Sequence, residues 1–216
     1  MADKLISQGT IMKIWAKSII DNTKSLEYLK SERGFTESMI EGLEVGYIDY
    51  YKFGESFFLK DVIVFPLYDA SGKLKGLNTR KLYDKFFIKF VCSNYPLIYS
   101  DYEFVNKTLV LVESPICALT LRTFLPDMSV ASSLSAAISV QHLIMYGTAK
   151  KIITVMDDDD AGARSADSIS AYNPNTYVVP RHYYADCKDP NAIYKEDFDS
   201  FETLVAYIKN IDRRTK

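Results

Sequence analysis

Short apolar runs alternate with helical stretches from Thr108 to the end of the chain, and this alternation limits the possible folds more than any other feature. The run Thr108–Val112 shows no polar alternation, as expected for a strand that is buried on both faces. Strands that are joined by helices form parallel sheets. We therefore predict a parallel α/β subdomain. Its predicted strands are at 108–112, 128–131, 152–156 and 176–180. Its predicted helices are one that ends at about 124, one around 138–146, one that begins at about 161 and one near 201–211.

The first half of the chain has a different pattern. Apolar spacing predicts helices from residue 1 to about 44, followed by antiparallel strands with a turn at Asp69–Gly72. Val62–Leu67 and Leu74–Thr79 would pair across this turn, and Lys85–Val91 would add a strand. The predicted fold class is α/β, with an α+β N-terminal subdomain at 1–104, a parallel-sheet α/β subdomain at 105–195 and a C-terminal helix at 196–216.

Charge is distributed unevenly along the chain. The net charge of the 216 residues is −2, which argues against a protein that is basic throughout. Residues 60–89 hold seven Lys/Arg and three Asp/Glu (a local +4), whereas residues 157–202 hold eleven Asp/Glu and four Lys/Arg (a local −7). A basic zone and an acidic zone in one chain suit a polyanion bound at the first and cations at the second.

The three cysteines are far apart and form no C-x-x-C pair, so we expect neither a disulfide framework nor a zinc ribbon. The N-terminal residues lack the apolar run of a signal peptide, and no segment approaches the ~20 apolar residues of a membrane span. These features predict a cytoplasmic protein.

Acidic side chains follow two of the predicted parallel strands directly. Glu113 comes after the first strand, and Asp157–Asp160 come after the strand at 152–156. Ligands bind at the carboxyl ends of strands in open α/β sheets. Because residues two apart in an extended segment point the same way, Asp157 and Asp159 can converge. Asp189, further along, could join them in an oxygen-rich site that suits magnesium.

A simpler interpretation is that acidic residues cap the helix that follows them. Within Asp157–Asp160 we expect Asp160 to be such a cap, since Ala161 and Gly162 would begin the helix. Four adjacent carboxylates repel one another unless water or a cation screens them, so the complete run favours a metal site.

Several motifs, in this order, resemble the TOPRIM catalytic core of bacterial and phage DnaG-type primases. Upstream are a "YL-x-x-RG" element and an "FP-x-x-D-x-x-G…R" hairpin, and downstream are a glutamate motif, an Asp-x-Asp motif and a further acidic segment. In this chain they read Tyr28-Leu-Lys-Ser-Glu-Arg33-Gly34, Phe65-Pro66 through Asp69 and Gly72 to Arg80, Leu-Val-Glu113-Ser, Asp157-Asp-Asp159-Asp-Ala-Gly162 and Asp186-Cys-Lys-Asp189-Pro-Asn191.

The resemblance implies a DNA primase, a nucleotidyltransferase that synthesises short RNA primers on a single-stranded DNA template. It implies that Glu113, Asp157 and Asp159 are catalytic and, with Asp189, hold Mg²⁺ or Mn²⁺. It further implies NTP substrates and a replicative helicase or zinc-binding partner protein. The segment Glu113-Ser-Pro-Ile-x-Ala-Leu is similar to TOPRIM proteins of phages and mobile elements.

Basic residues interleaved with aromatics lie in the predicted hairpin region, a combination that single-stranded nucleic acid binding uses. Arg80 also falls on the family motif. For any single lysine, a solvated strand face is the simpler interpretation. The residues predicted to bind nucleic acid or nucleotide are Lys73, Lys75, Arg80, Lys81 and Lys85.

Two other functions remain open from the sequence. The same metal site could serve a TOPRIM-type nuclease. Alternatively, a catalytically weak TOPRIM module could bind nucleic acid or a partner, because Ser114, Cys117 and Asn191 depart from the family pattern.

Overall fold

The computed structural model describes residues 4, 5, 7, 22–41, 45–53, 57–69, 73–84, 87–91, 99, 100 and 104–213. The chain divides into two compact units, one formed by Met1–Asp69 with Lys73–Tyr95 and the other by Ala70–Gly72 with Pro96–Lys216. The second unit includes the C-terminal helix. The predicted domain boundaries at residues 104 and 195 stay predictions.

The first unit is built on a five-stranded sheet with the strand order β1-β5-β4-β3-β2. Strands β2 to β5 pair antiparallel, and β1 runs parallel to β5. The strands are β1 (Lys4–Leu5), β2 (Gly46–Phe53), β3 (Phe57–Tyr68), β4 (Leu74–Lys81) and β5 (Phe87–Val91), and the helices are α1 (Thr23–Arg33) and α2 (Glu37–Glu41).

The N-terminal prediction is partly wrong. We expected helices from residue 1 to about 44, but Lys4–Leu5 is a strand, since its backbone pairs with Phe90 and Val91 of β5. The helix α1 begins after Asn22, whose side chain accepts a hydrogen bond from Ser25 N–H. Residues 8–21, which fall within the predicted helical region, and residues 70–72 at the centre of the predicted turn lie outside the described residues.

The second unit contains a five-stranded sheet with the order β10-β9-β7-β8-β6, in which β6 alone pairs antiparallel. The predicted strands and helices of this half are confirmed, with their ends moved by a few residues. The elements are β6 (Tyr99–Ser100), β7 (Thr108–Val112), α3 (Pro115–Phe124), β8 (Ser129–Ser132), α4 (Val140–Tyr146), β9 (Lys151–Val155), α5 (Asp160–Tyr172), β10 (Thr176–Val178), a 3₁₀ turn (Arg181–Tyr184), α6 (Pro190–Glu196) and α7 (Phe198–Arg213).

Burial explains why the central strand of this sheet is apolar. Leu109 to Val112 are fully buried because β7 lies between β8 and β9 and is covered on both faces. On one side Leu109 and Leu111 pack in a cluster that includes Ile152 of β9 and Ile169 of α5. With its antiparallel and parallel sheets the protein has the predicted α/β class.

In the part of the chain that the structure describes, no helix combines the length and apolar character that crossing a membrane requires.

Candidate metal centre

Two neighbouring parallel strands end at the two predicted acidic motifs. Val112 of β7 is in register with Val155 of β9, so Glu113 follows one strand and Met156 and Asp157 follow the other at the same edge of the sheet. Adjacent parallel strands present their carboxyl ends together. The fold therefore brings Glu113 and Asp157 close enough for the charge of Asp157 to act on Glu113.

Glu113 is held in an environment that suits a neutral carboxyl better than a carboxylate. Burial raises its pKa to about 7, and the charges of Asp157 and Asp159 add to this rise. Its backbone carbonyl accepts a hydrogen bond from Ser132 Oγ at 2.8 Å, which ties the residue to the end of β8. Among the described residues, the buried Oε2 atom of Glu113 has no hydrogen-bond partner. A buried carboxylate oxygen without a donor is a site where a cation would be stabilised.

The acidic run after β9 divides its side chains among different roles. Asp157 is 13% exposed, and burial together with the charge of Asp189 raises its pKa. Asp158 forms an ion pair with Arg181, with 3.0 Å between Oδ1 and Nε. Asp157 and Asp158 therefore face different partners, as the extended backbone predicts.

Asp159, and not Asp160, caps α5. Its Oδ1 atom accepts hydrogen bonds from Ala161 N–H at 3.0 Å and Gly162 N–H at 2.9 Å, and these bonds lower its pKa. The prediction that Asp160 is the cap is wrong, because the helix already begins at that residue. Asp159 uses one carboxylate oxygen for the cap, so Oδ2 is the oxygen available to a cation.

Gly162 allows α5 to approach the end of β9. A Cβ atom at this position would lie 2.2 Å from the carbonyl oxygen of Asp157, far inside van der Waals contact. The glycine therefore permits the helix that Asp159 caps to pack closely against the segment that follows β9 and contains Asp157.

The downstream segment contributes a lysine that the sequence reasoning missed. Lys188 Nζ lies 3.3 Å from Asp157 Oδ2 and 3.6 Å from Asp159 Oδ2, and these charges raise the pKa of Lys188. Asp189 caps α6 by accepting a hydrogen bond from Ala192 N–H at 2.9 Å. Because Lys188 is a single lysine in a loop, its sequence context gave no signal for this position.

The residues that depart from the family pattern have structural roles. Ser114 caps α3 by accepting a hydrogen bond from Cys117 N–H, and Cys117 is a buried free cysteine. Asn191 is buried and donates a hydrogen bond to Thr120 Oγ1 at 3.1 Å, which links α6 to α3. All three residues therefore take part in the helix capping or packing of the second unit.

The donor set fits a hard divalent cation. Carboxylate oxygens are the ligands that Mg²⁺ and Mn²⁺ prefer, and the unsatisfied Glu113 Oε2 and the raised pKa values of Glu113 and Asp157 indicate a site short of positive charge. Within the described ranges, no group of three or more His, Cys, Asp or Glu side chains is arranged as it would be around a metal ion. In this arrangement Lys188 bridges two of the carboxylates.

Four of the five residues predicted to bind nucleic acid, Lys73, Lys75, Arg80 and Lys81, lie on or beside β4 in the first unit. Arg80 is half-buried, and its Nε atom has no hydrogen-bond partner among the described residues. Lys73 is exposed, Lys75 is half-buried, and Lys81 forms an ion pair with Asp84. Lys85 lies outside the described residues.

Residues 110–194 match the family described as Toprim-like. A search of the curated proteins gave no match. One similar structure is the Aquifex aeolicus primase with its zinc-binding and RNA polymerase domains (19% identity, TM-score 0.69, 94% of this chain and 59% of that chain covered).

Two further structures are similar. One is the primase fragment of the bacteriophage T7 primase-helicase protein (17% identity, TM-score 0.62, 82% of this chain and 72% of that chain). The other is a DnaG primase catalytic domain bound to single-stranded DNA (15% identity, TM-score 0.62, 92% and 77%). The chain thus spans 59% of the Aquifex chain in that structure, which holds the zinc-binding and RNA polymerase domains. Residues 110–194 therefore form a Toprim-like segment, and the chain has the fold of the DnaG-type primase catalytic core.

Proposed function

We propose that this protein is the catalytic core of a DNA primase, which synthesises short RNA primers from NTPs on a single-stranded DNA template. The observation that carries the proposal is the placement of Glu113 and Asp157 at the ends of adjacent parallel strands, within a fold that primase cores share. Because the similar structures are less than 20% identical, the reaction is inferred from the chemistry of this site.

The proposed metal ligands are the carboxylates of Glu113, Asp157, Asp159 and Asp189. Bound Mg²⁺ or Mn²⁺ would supply charge neutralisation for the triphosphate and lower the pKa of the attacking 3′ hydroxyl. Glu113 has a pKa of about 7, and a bound cation would favour its fully ionised form. Asp159 offers Oδ2 while its cap holds the side chain in place.

Template-directed dinucleotide synthesis tests this function. The full chain is incubated with single-stranded DNA, NTPs and Mg²⁺ or Mn²⁺, and the products are separated by size. Asp157→Asn should lower primer synthesis by roughly 100-fold or more, as expected for loss of a group that stabilises transition-state charge. Asp158→Asn is the matched control, since Asp158 pairs with Arg181, and it should retain near wild-type synthesis.

Other products would contradict priming. Cleavage of DNA or RNA without incorporation of nucleotides would identify a metal-dependent nuclease. If neither product formed even with partner proteins present, a nucleic-acid- or partner-binding module would be the better description.

We further propose that Lys73, Lys75, Arg80, Lys81 and Lys85 bind the template or the nucleotide. Arg80 is the best supported of these five candidates, because it is half-buried and its Nε atom has no hydrogen-bond partner among the described residues. Arg80→Ala should weaken the binding of single-stranded DNA and make it less dependent on salt concentration. Lys52→Ala, which changes an exposed lysine of β2, is the control. Equal binding by wild type and Arg80→Ala would exclude this role.

The proposed partners are a zinc-binding protein or a replicative helicase. The Aquifex protein includes a zinc-binding domain and the T7 protein is a primase-helicase, and this chain covers only part of the first. If the proposal holds, addition of such a partner should raise primer yield on single-stranded DNA, and no increase would argue against it.

A further inference from the structure

Lys188 lies between two carboxylates of the acidic site. Its Nζ atom lies within 4 Å of both Asp157 Oδ2 and Asp159 Oδ2, and its backbone carbonyl accepts a hydrogen bond from Asp158 N–H at 2.7 Å. The backbone bond fixes the loop beside the end of β9, and the two ion pairs place the ammonium between the carboxylates.

An ammonium and a metal ion compete for this position. The carboxylates of Asp157 and Asp159 would hold the divalent cation, and they are the same carboxylates that Lys188 contacts. Two cations in so small a volume repel each other strongly. The Lys188 side chain is 63% exposed, and its long, flexible stem allows the ammonium to move outward without a change in the backbone.

We propose that Lys188 is a tethered counter-cation that holds Asp157 and Asp159 together when no metal is bound, and that it moves to the phosphates of the nucleotide when a divalent ion enters. The first role stands on the ion pairs alone, and the second rests on the proposed function. Lys188 is thus a positioning residue in the free protein and a phosphate-binding residue in the loaded one.

The test compares Lys188→Met with wild type in the full chain. In Mn²⁺ titrations followed by calorimetry at low salt, Lys188→Met should bind Mn²⁺ about tenfold more tightly, because no ammonium has to be displaced. Lys188→Arg, which keeps the charge, should restore an affinity near that of wild type. Lys195→Met, at an exposed lysine of α6, is the control. Equal or weaker Mn²⁺ binding by Lys188→Met would overturn the competition.

Two further measurements separate this proposal from the proposed function. In EDTA at low salt, Lys188→Met should melt at a lower temperature than wild type, and high salt should reduce the difference. An unchanged melting temperature would overturn the counter-cation role whether or not the protein primes. At saturating metal, Lys188→Met should raise the KM for NTPs several-fold more than it changes kcat, and an unchanged KM would overturn the phosphate role.

Discussion

The pKa of Glu113 makes the stability of the metal-free protein depend on pH. An isolated glutamate has a pKa of 4.5, and burial raises that of Glu113 to about 7. Between these two values the folded protein binds more protons than the unfolded chain, so the free energy of unfolding falls as pH rises. The stabilisation from the neutral carboxyl is complete below pH 4.5 and is lost as pH passes 7.

The shift corresponds to at most about 3 kcal/mol. Because Glu113 is only half-buried, solvent screening reduces the expected loss to about 1–2 kcal/mol between pH 5 and pH 7.5. Urea denaturation in EDTA across this range measures the slope directly. Glu113→Gln, which cannot ionise, should be less sensitive to pH by that amount.

A metal ion gives a second arm to the same experiment. Saturating Mg²⁺ at pH 7.5 should restore stability to the wild type, because the cation binds the folded state and favours the ionised carboxylate. Glu113→Gln should recover less. If wild type and Glu113→Gln had equal pH slopes in EDTA, the pKa of Glu113 would not be raised in the folded protein, and the reasoning from its burial would be refuted.

Two other substitutions test how the site is held in place. Gly162→Ala should cost about 2–4 kcal/mol in urea denaturation, since its Cβ would meet the Asp157 carbonyl and disturb the helix cap. Gly147→Ala, whose Cβ would lie 3.3 Å from the backbone oxygens of Leu143 and Ile144, meets a much milder contact and should cost about 1 kcal/mol or less, and equal costs would refute the packing argument. Asn191→Ala should lose about 1–3 kcal/mol of stability by removing a buried hydrogen bond while Mn²⁺ affinity stays unchanged, and a large loss of affinity would place Asn191 in the metal site.

The parts of this fold that the sequence predicted are those with local causes. The strand β7 was predictable because a run of consecutive apolar residues is the pattern of a strand covered on both faces, and the structure buries it completely. Strand β1 was not predictable, since Lys4 and Leu5 become a strand only by pairing with β5, more than 80 residues away. Strand β2 was missed for a related reason: its tyrosines favour a strand, but its buried and exposed positions do not alternate, so the pairing with β3 is what defines it.

The same distinction applies within the acidic site. Glu113 and Asp157 follow strands whose order along the chain predicts a shared sheet edge, so local pattern was enough to place them together. Asp159 and not Asp160 is the cap because α5 begins at Asp160. This first helical residue lies one position before the one expected from the sequence. The position of Lys188 follows neither from a strand pattern nor from a helix start. Its loop must first fold back onto the end of β9, where the Lys188 carbonyl accepts a hydrogen bond from Asp158 N–H. A site of this kind can therefore be located from its carboxylates, whereas the cation that balances them is found only from the tertiary structure.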